Sequence, residues 1–212
     1  AANNTVTTNE DTTYTFTAAD INFADVDGDA LSQVQVTTLE SVGSLQLSGV
    51  DVTLDQVISK ADIDAGNLKF IPVADENGAG YDSFQFKVHD GTEYSAAAYS
   101  MTVDVTPVQD APTAANNTVT TNEDTTYTFT AADFNFTDVD GDSLTQVQVT
   151  SLESAGSLLY DGNDVTLDQV ITVADINAGL LTFAPAANAN GAGYDSFQFK
   201  VHDGTEYSAS AY

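Results

Sequence analysis

The feature that most constrains this chain is that it contains itself twice. Residues 1–99 realign on 114–212 with a constant offset of 113 and no gap, and 79 of the 99 aligned pairs are identical. Residues 1–20 recur unchanged as 114–133, and 78–94 recur as 191–207. A period of this length lies far beyond the 20 to 50 residues of solenoid repeats and fits one autonomous β-sandwich of about 100 residues. Each copy must therefore own its core, and 42% apolar residues are enough to build two.

Within a copy the apolar residues alternate with polar ones in short runs rich in Val, Thr, Phe and Tyr. The runs 6–8, 13–17, 31–37, 44–47, 68–71, 83–88 and 98–105 read as seven strands. Asp27-Gly28, Gly43, Gly49, Asn77-Gly78 and Asp90-Gly91 are the turn signals between them. Between Leu54 and Gly66 the apolar residues Val57, Ile58, Ala61 and Ile63 approach helical spacing, and Gly66 supplies a stop, which predicts a short helical turn. The fold class is thus all-β: two tandem seven-stranded Greek-key sandwiches joined end to end. Residues 1–109 form the first repeat and 114–212 the second. Residues 110–113 belong to a stiff connection in which Pro107 and Pro112 fix φ and remove donors. The second copy stops at Tyr212, the counterpart of Tyr99, so its last strand is expected to be cut short.

Charge narrows the function. The chain carries 32 acidic and 4 basic side chains, for a net charge of -28. Phosphate recognition needs Lys and Arg to displace counterions, and only Lys60, Lys69, Lys87 and Lys200 are present, which excludes nucleic acid and anionic lipid surfaces as partners. No apolar run approaches the roughly 20 residues that cross a bilayer as a helix. With no Cys there is no disulfide, thiolate nucleophile or zinc–thiolate site. Carboxylates in this number favour hard cations, Ca²⁺ or Mg²⁺, which relieve their mutual repulsion.

The sharpest acidic motif is Asp25-Val26-Asp27-Gly28-Asp29, repeated as Asp138-Val139-Asp140-Gly141-Asp142. Alternating carboxylates in a tight glycine turn point several oxygens at one centre, and Ca²⁺ takes 6 to 8 oxygens at about 2.3 to 2.6 Å. The loop is not an EF-hand, since Val36 stands where the twelfth-position Glu belongs. An isolated Asp is more simply a turn former, because its carboxylate bonds its own backbone. In a sandwich of immunoglobulin-like strand order, Glu10, Asp11, Asn77, Asp82 and Asp110 gather where the first repeat ends. Asp138, Asp140, Asp142 and Asp203 gather where the second begins.

Five segments in order carry a resemblance: Asn9-Glu10-Asp11, the Asp25–Asp29 loop, Asn77-Gly78 with Tyr81-Asp82-Ser83-Phe84, Val88-His89-Asp90-Gly91, and Val108-Gln109-Asp110-Ala111-Pro112. Together they resemble the bacterial cadherin-like tandem repeats of large surface adhesins, proteins exported by type I secretion and often bearing RTX signals. The resemblance implies a Ca²⁺-stiffened, monomeric extender outside the bacterial cell, whose partners are neighbouring repeats of the same polypeptide. It implies Glu10, Asp82 and Asp110 as ligands from the first repeat, and Asp138 and Asp140 from the second, with Asn77 and Asp203 as further oxygen donors. Asp25 and Asp27 at the start, and Glu123 with Asp195 at the finish, are the implied half-sites. Gln109 departs from the Asn-Asp linker more usual in such repeats.

Two other classes of function stand against this one. A carbohydrate-binding module recognising polysaccharide is the alternative, with Tyr14, Tyr81, Tyr94 and Tyr99 as stacking faces, although Trp is absent. An enzyme is not expected. His89 and His202 sit before turn glycines, and no Gly-x-Ser-x-Gly elbow accompanies them.

Overall fold

The computed structural model describes residues 1–212 and divides into two compact units, Ala1–Val108 and Gln109–Tyr212. In the first unit the elements run β1 (Asn4–Asn9), β2 (Tyr14–Thr15), a 3₁₀ turn (Ala18–Ile21), β3 (Gln33–Thr38), β4 (Ser44–Leu47), β5 (Val50–Asp51), β6 (Val57–Ser59), α1 (Lys60–Asp64), β7 (Leu68–Ile71), β8 (Gly78–His89) and β9 (Tyr99–Thr106). One sheet has the order β1-β9-β8-β3-β6 and the other β2-β7-β4-β5. All seven anticipated strands are present. The sequence reading missed two short ones, β5 and β6, because two or three residues are too few to show alternation.

The two sheets close on one core. Along β8 every second residue from Asp82 to Val88 is buried, as are Met101, Val103 and Val105 on β9, and Val34 and Val36 on β3. Each such apolar side chain contributes roughly 1.5 to 3 kcal/mol of burial. Phe16 reaches the same interior and meets Phe84 edge to face at 5.6 Å. The anticipated helical turn is α1, where the Ser59 hydroxyl accepts the Asp62 N–H at 3.1 Å as an N-cap. The 3₁₀ turn was not foreseen. The Asp20 carboxylate accepts the Thr17 N–H at 2.7 Å and its hydroxyl at 2.9 Å, and Asn22 ends the turn in the left-handed region.

The second unit has β10 (Tyr127–Thr128), a 3₁₀ turn (Ala131–Phe134), β11 (Gln146–Ser151), β12 (Ser157–Tyr160), β13 (Asn163–Asp164), β14 (Val170–Thr172), α2 (Val173–Asn177), β15 (Leu181–Ala184) and β16 (Gln198–His202). Its sheets are β10-β15-β12-β13 and β14-β11-β16. The near-identity of the two copies makes their differences informative. β1 pairs in parallel with β9 over Asn4↔Met101 to Asn9↔Thr106, and β8 pairs with the other edge of β9 from Gly78↔Val105 to Phe86↔Tyr99. Residues 100–106 have no counterpart in the second copy, and residues 117–122 and 191–197, although identical to their twins, form no strand. Residues 207–212 run beside β16 without forming a strand: Phe199 and Tyr212 exchange backbone hydrogen bonds at 3.1 and 2.9 Å, and the Ser208 N–H reaches the Val201 carbonyl at 2.8 Å. Strand formation in these segments is therefore decided by the partner, not by local propensity. Each unit is a sandwich, and in the second the shortened end that the sequence predicts forms no twin of β9, while residues 117–122 form no twin of β1.

Candidate metal centre

The acidic loop of the second unit is shaped by its own backbone. Gly141 takes φ +83°, which turns the chain sharply enough for the Asp142 N–H to reach Asp138 Oδ1 at 2.9 Å. Carboxylate oxygens of Asp138, Asp140 and Asp142 lie within 4.8 Å of one another. Asp140 Oδ2 accepts the Asp110 N–H at 2.8 Å and the Gln109 side-chain amide at 3.2 Å, and that amide also reaches Asp142 Oδ2 at 2.9 Å. The unit's first two residues are thus fastened to the loop by the carboxylates themselves. Thr113 adds a bridge to Thr137, with both backbone bonds at 2.8 Å.

Several side-chain oxygens of this unit are buried without a hydrogen-bond partner, Thr150 Oγ1 and Glu153 Oε2 among them. Asp138 Oδ2 and Asp203 Oδ2 are buried and have no hydrogen-bond partner. Asp203 is only 6% exposed. Burial pushes its carboxyl upward, yet the N–H groups of Glu206 and Thr205 and the neighbouring His202 outweigh this and hold it below the ordinary carboxylate range. A buried, ionised, half-satisfied carboxylate is costly unless a cation completes it. The donor set is all oxygen, which suits Ca²⁺ rather than a softer metal.

The first unit repeats the loop. Asp25 Oδ1 accepts the N–H groups of Asp27, Gly28 and Asp29 at 2.8, 2.9 and 3.1 Å. Asp25 and Asp90, the twins of Asp138 and Asp203, line one hollow of about 260 Å³ together with Phe23, Glu93 and Tyr94. Asp27 stands exposed in the same loop.

At the opposite end of the first unit, Glu10 is 2% exposed and accepts the Asn77 side-chain amide at 3.0 Å and the Val108 N–H. Asp82, 5% exposed, takes the N–H groups of Ser41, Val42 and Ser83 and the Ser41 hydroxyl. This accounts for its burial without a metal: it clamps the turn before β4. In the second unit Glu123 accepts the Asn190 amide at 2.9 Å, and Asp195 takes the N–H groups of Ser154, Ala155 and Ser196. Sequence reasoning did not foresee these clamps, because the donors lie some 40 residues upstream in unremarkable Ser and Val or Ala positions. It also named Gln109 only as a departure, whereas its amide caps two carboxylates.

The two histidines serve their turns. His89 Nδ1 accepts the Gly91 N–H and His202 Nδ1 the Gly204 N–H, both at 2.9 Å, and each ring packs edge-on against Tyr94 or Tyr207. All four tyrosines considered as sugar platforms are half-buried: Tyr14 packs against Phe16 at 5.0 Å, Tyr81 against Phe70 and Tyr99 against Phe86 at 6.3 Å. No helix is long and apolar enough to cross a membrane.

No curated protein matches the chain. Two solved structures of an endo-fucoidan hydrolase from glycoside hydrolase family 107, one of them a point variant, align at 21% identity with TM-scores of 0.30 and 0.29. The alignments cover 100% and 98% of this chain but 27% of the hydrolase chains, so the chain spans about a quarter of their length. A family model described as Bacterial Ig domain matches residues 1–106 and again residues 109–212. The chain belongs to the bacterial Ig domain family and consists of two such domains in tandem.

Proposed function

We propose that these two domains are Ca²⁺-binding spacer repeats of a bacterial surface adhesin, lying outside the cell and serving to hold a distal binding domain away from it. The observation that carries the reading is Asp138 Oδ2, buried and without a hydrogen-bond partner within the cluster of Asp138, Asp140 and Asp142 carboxylates, with a second such oxygen on Asp203 of the same unit. Asp138, Asp140 and Asp203 would hold the ion, with Asp110 recruited from the connecting segment. Asp25 and Asp27 would form the matching half-site of the first repeat, and Glu10, Asn77, Asp82, Glu123 and Asp195 are the outlying candidates. Bound to the folded domain and not to the unfolded chain, Ca²⁺ would stabilise by mass action and tie the Pro112-containing segment to the second unit. The half-buried packing of Tyr14, Tyr81, Tyr94 and Tyr99 favours the spacer over a polysaccharide-binding module.

The test is a calorimetric Ca²⁺ titration of the chain, paired with small-angle X-ray scattering in millimolar Ca²⁺ and in EGTA. Binding that fixes a rod and is lost on chelation supports the spacer. Identical scattering profiles and no binding heat overturn it, and a glycan array then becomes the next experiment.

A further inference from the structure

The carboxylates around the second unit's acidic loop are not equally open to an ion. Asp138 Oδ2 is buried without a hydrogen-bond partner, and so is Asp203 Oδ2, on a residue only 6% exposed. The twins of these two residues, Asp25 and Asp90, line one hollow, so the fold brings this pair of positions together. Asp140 and Asp142 are already engaged. Asp140 Oδ2 accepts the Asp110 N–H at 2.8 Å and the Gln109 side-chain amide at 3.2 Å, and the same amide nitrogen donates to Asp142 Oδ2 at 2.9 Å. The two hydrogens of Nε2 suffice for both carboxylates, and they form the positive end of the amide dipole. The Gln109 amide thus does in part what a cation does, drawing two like charges to one centre. Gln109 is exposed and belongs to the same unit as the loop.

We propose that Gln109 sets the affinity of this site for Ca²⁺ by competing with the ion for Asp140 and Asp142. This role, which rests on the Ca²⁺ reading above, is opposition and not coordination. Ca²⁺ takes 6 to 8 oxygens, so an ion drawn to Asp138 and Asp203 must also recruit the other loop carboxylates. Asp140 Oδ2 and Asp142 Oδ2 can turn to the ion only by giving up charge-assisted hydrogen bonds to the amide. The Gln109 side chain therefore weakens binding, and at the same time it offsets the repulsion between the two carboxylates. Alanine at position 109 removes the competitor. A carboxylate there goes further, since it repels Asp140 and Asp142 and supplies the ion with another oxygen.

Calorimetric Ca²⁺ titration of the full chain, with thermal unfolding in EGTA, tests this on the parent, Gln109→Ala and Gln109→Glu. Gln109→Ala should bind Ca²⁺ about fivefold more tightly, the factor that one exposed charge-assisted contact imposes, and should melt slightly lower in EGTA. Gln109→Glu should bind at least about tenfold more tightly and show the larger loss in EGTA. A residue that served only to shape the connecting segment would lower stability without raising affinity. If the parent binds Ca²⁺ and Gln109→Ala binds it equally well, the competition is absent and the spacer reading stands alone. Weaker binding in Gln109→Ala also overturns the proposal, because Gln109 Oε1 is then a ligand. A parent that binds no Ca²⁺ beside a Gln109→Glu variant that does supports the competition and removes the spacer reading. No binding in any of the three chains removes both.

Discussion

The side chain of Glu10 accepts the backbone N–H of Val108, which fastens the end of β1 to the residues that follow β9, while the Glu10 N–H bonds the Thr106 carbonyl at 2.9 Å. A carboxylate in this position closes the first domain whether or not an ion is present. Glu10→Ala leaves a backbone donor and the Asn77 amide without their acceptor, which costs about 2 kcal/mol. Thermal or urea unfolding in EGTA should show this loss in full. If the variant is as stable as the parent without Ca²⁺ and weaker only with it, Glu10 acts solely as a ligand.

Asp82 and Asp195 make the same clamp, the first buried and the second more open. Asp82→Ala strands three backbone donors and should destabilise the first domain by about 3 kcal/mol; Asp195→Ala should cost the second domain roughly half as much. Denaturant unfolding of each variant checks the order, and a larger loss at Asp195 contradicts it.

The loop carboxylates predict a different signature. Asp138→Asn and Asp203→Asn remove charge from oxygens that the fold leaves unpartnered, so both should weaken Ca²⁺ binding by at least about tenfold, with modest effects on stability in EGTA. In the parent, the Ca²⁺ binding proposed above would add about 2.7 kcal/mol at a hundred times its Kd. Calorimetry on each variant decides, and unchanged affinity in both removes them from the site.

Acid should loosen the protein through groups whose carboxyls the fold holds low. The Ser59 hydroxyl and then Asn67 lower Asp62; at Asp195, burial pushes upward but the Ser154, Ala155 and Ser196 N–H groups win. A depressed folded pKa contributes stability that is present above the unfolded value near 4 and is lost as pH falls through the folded value. Net charge works in the opposite sense, because protonation relieves repulsion among 32 acids. At about 0.15 M salt, where that repulsion is screened beyond about 8 Å, the midpoint of urea unfolding should fall below pH 4. A midpoint that rises steadily into acid means repulsion dominates.

Gly43 and Gly156 test the core from the backbone side. Each has positive φ, and a Cβ added there would lie 2.7 Å from a carbonyl oxygen and 2.8 Å from the ring of Phe70 or Phe183. Alanine at either position should cost more than the 1 to 2 kcal/mol of the left-handed backbone alone. Alanine at Gly49, also at positive φ but with open space around it, should cost only the backbone share. Equal losses at Gly43 and Gly49 in thermal unfolding would show that the ring gives way.

Much of the fold is legible in the sequence because alternation is written wherever a strand has one buried face, as in Phe84, Phe86 and Val88. What alternation cannot announce is pairing. Residues 78–85 and 191–198 are the same eight residues, yet the first are all strand and only the last of the second are, because β9 stands beside one of them. The acidic loops are legible as turns with excess charge. Their inner wiring is not, because Gln109 reaches Asp140 and Asp142 from some 30 residues away, and Ser41 reaches Asp82 across 41.

The parallel ladder between β1 and β9 has a consequence for load. The chain enters the first domain beside Met101 and leaves it past Thr106, so tension on the two ends of this domain draws the strands along their lengths in opposite senses. The six paired positions are then strained together in shear, rather than opened one after another like a zipper, and the domain yields only when the whole ladder gives way.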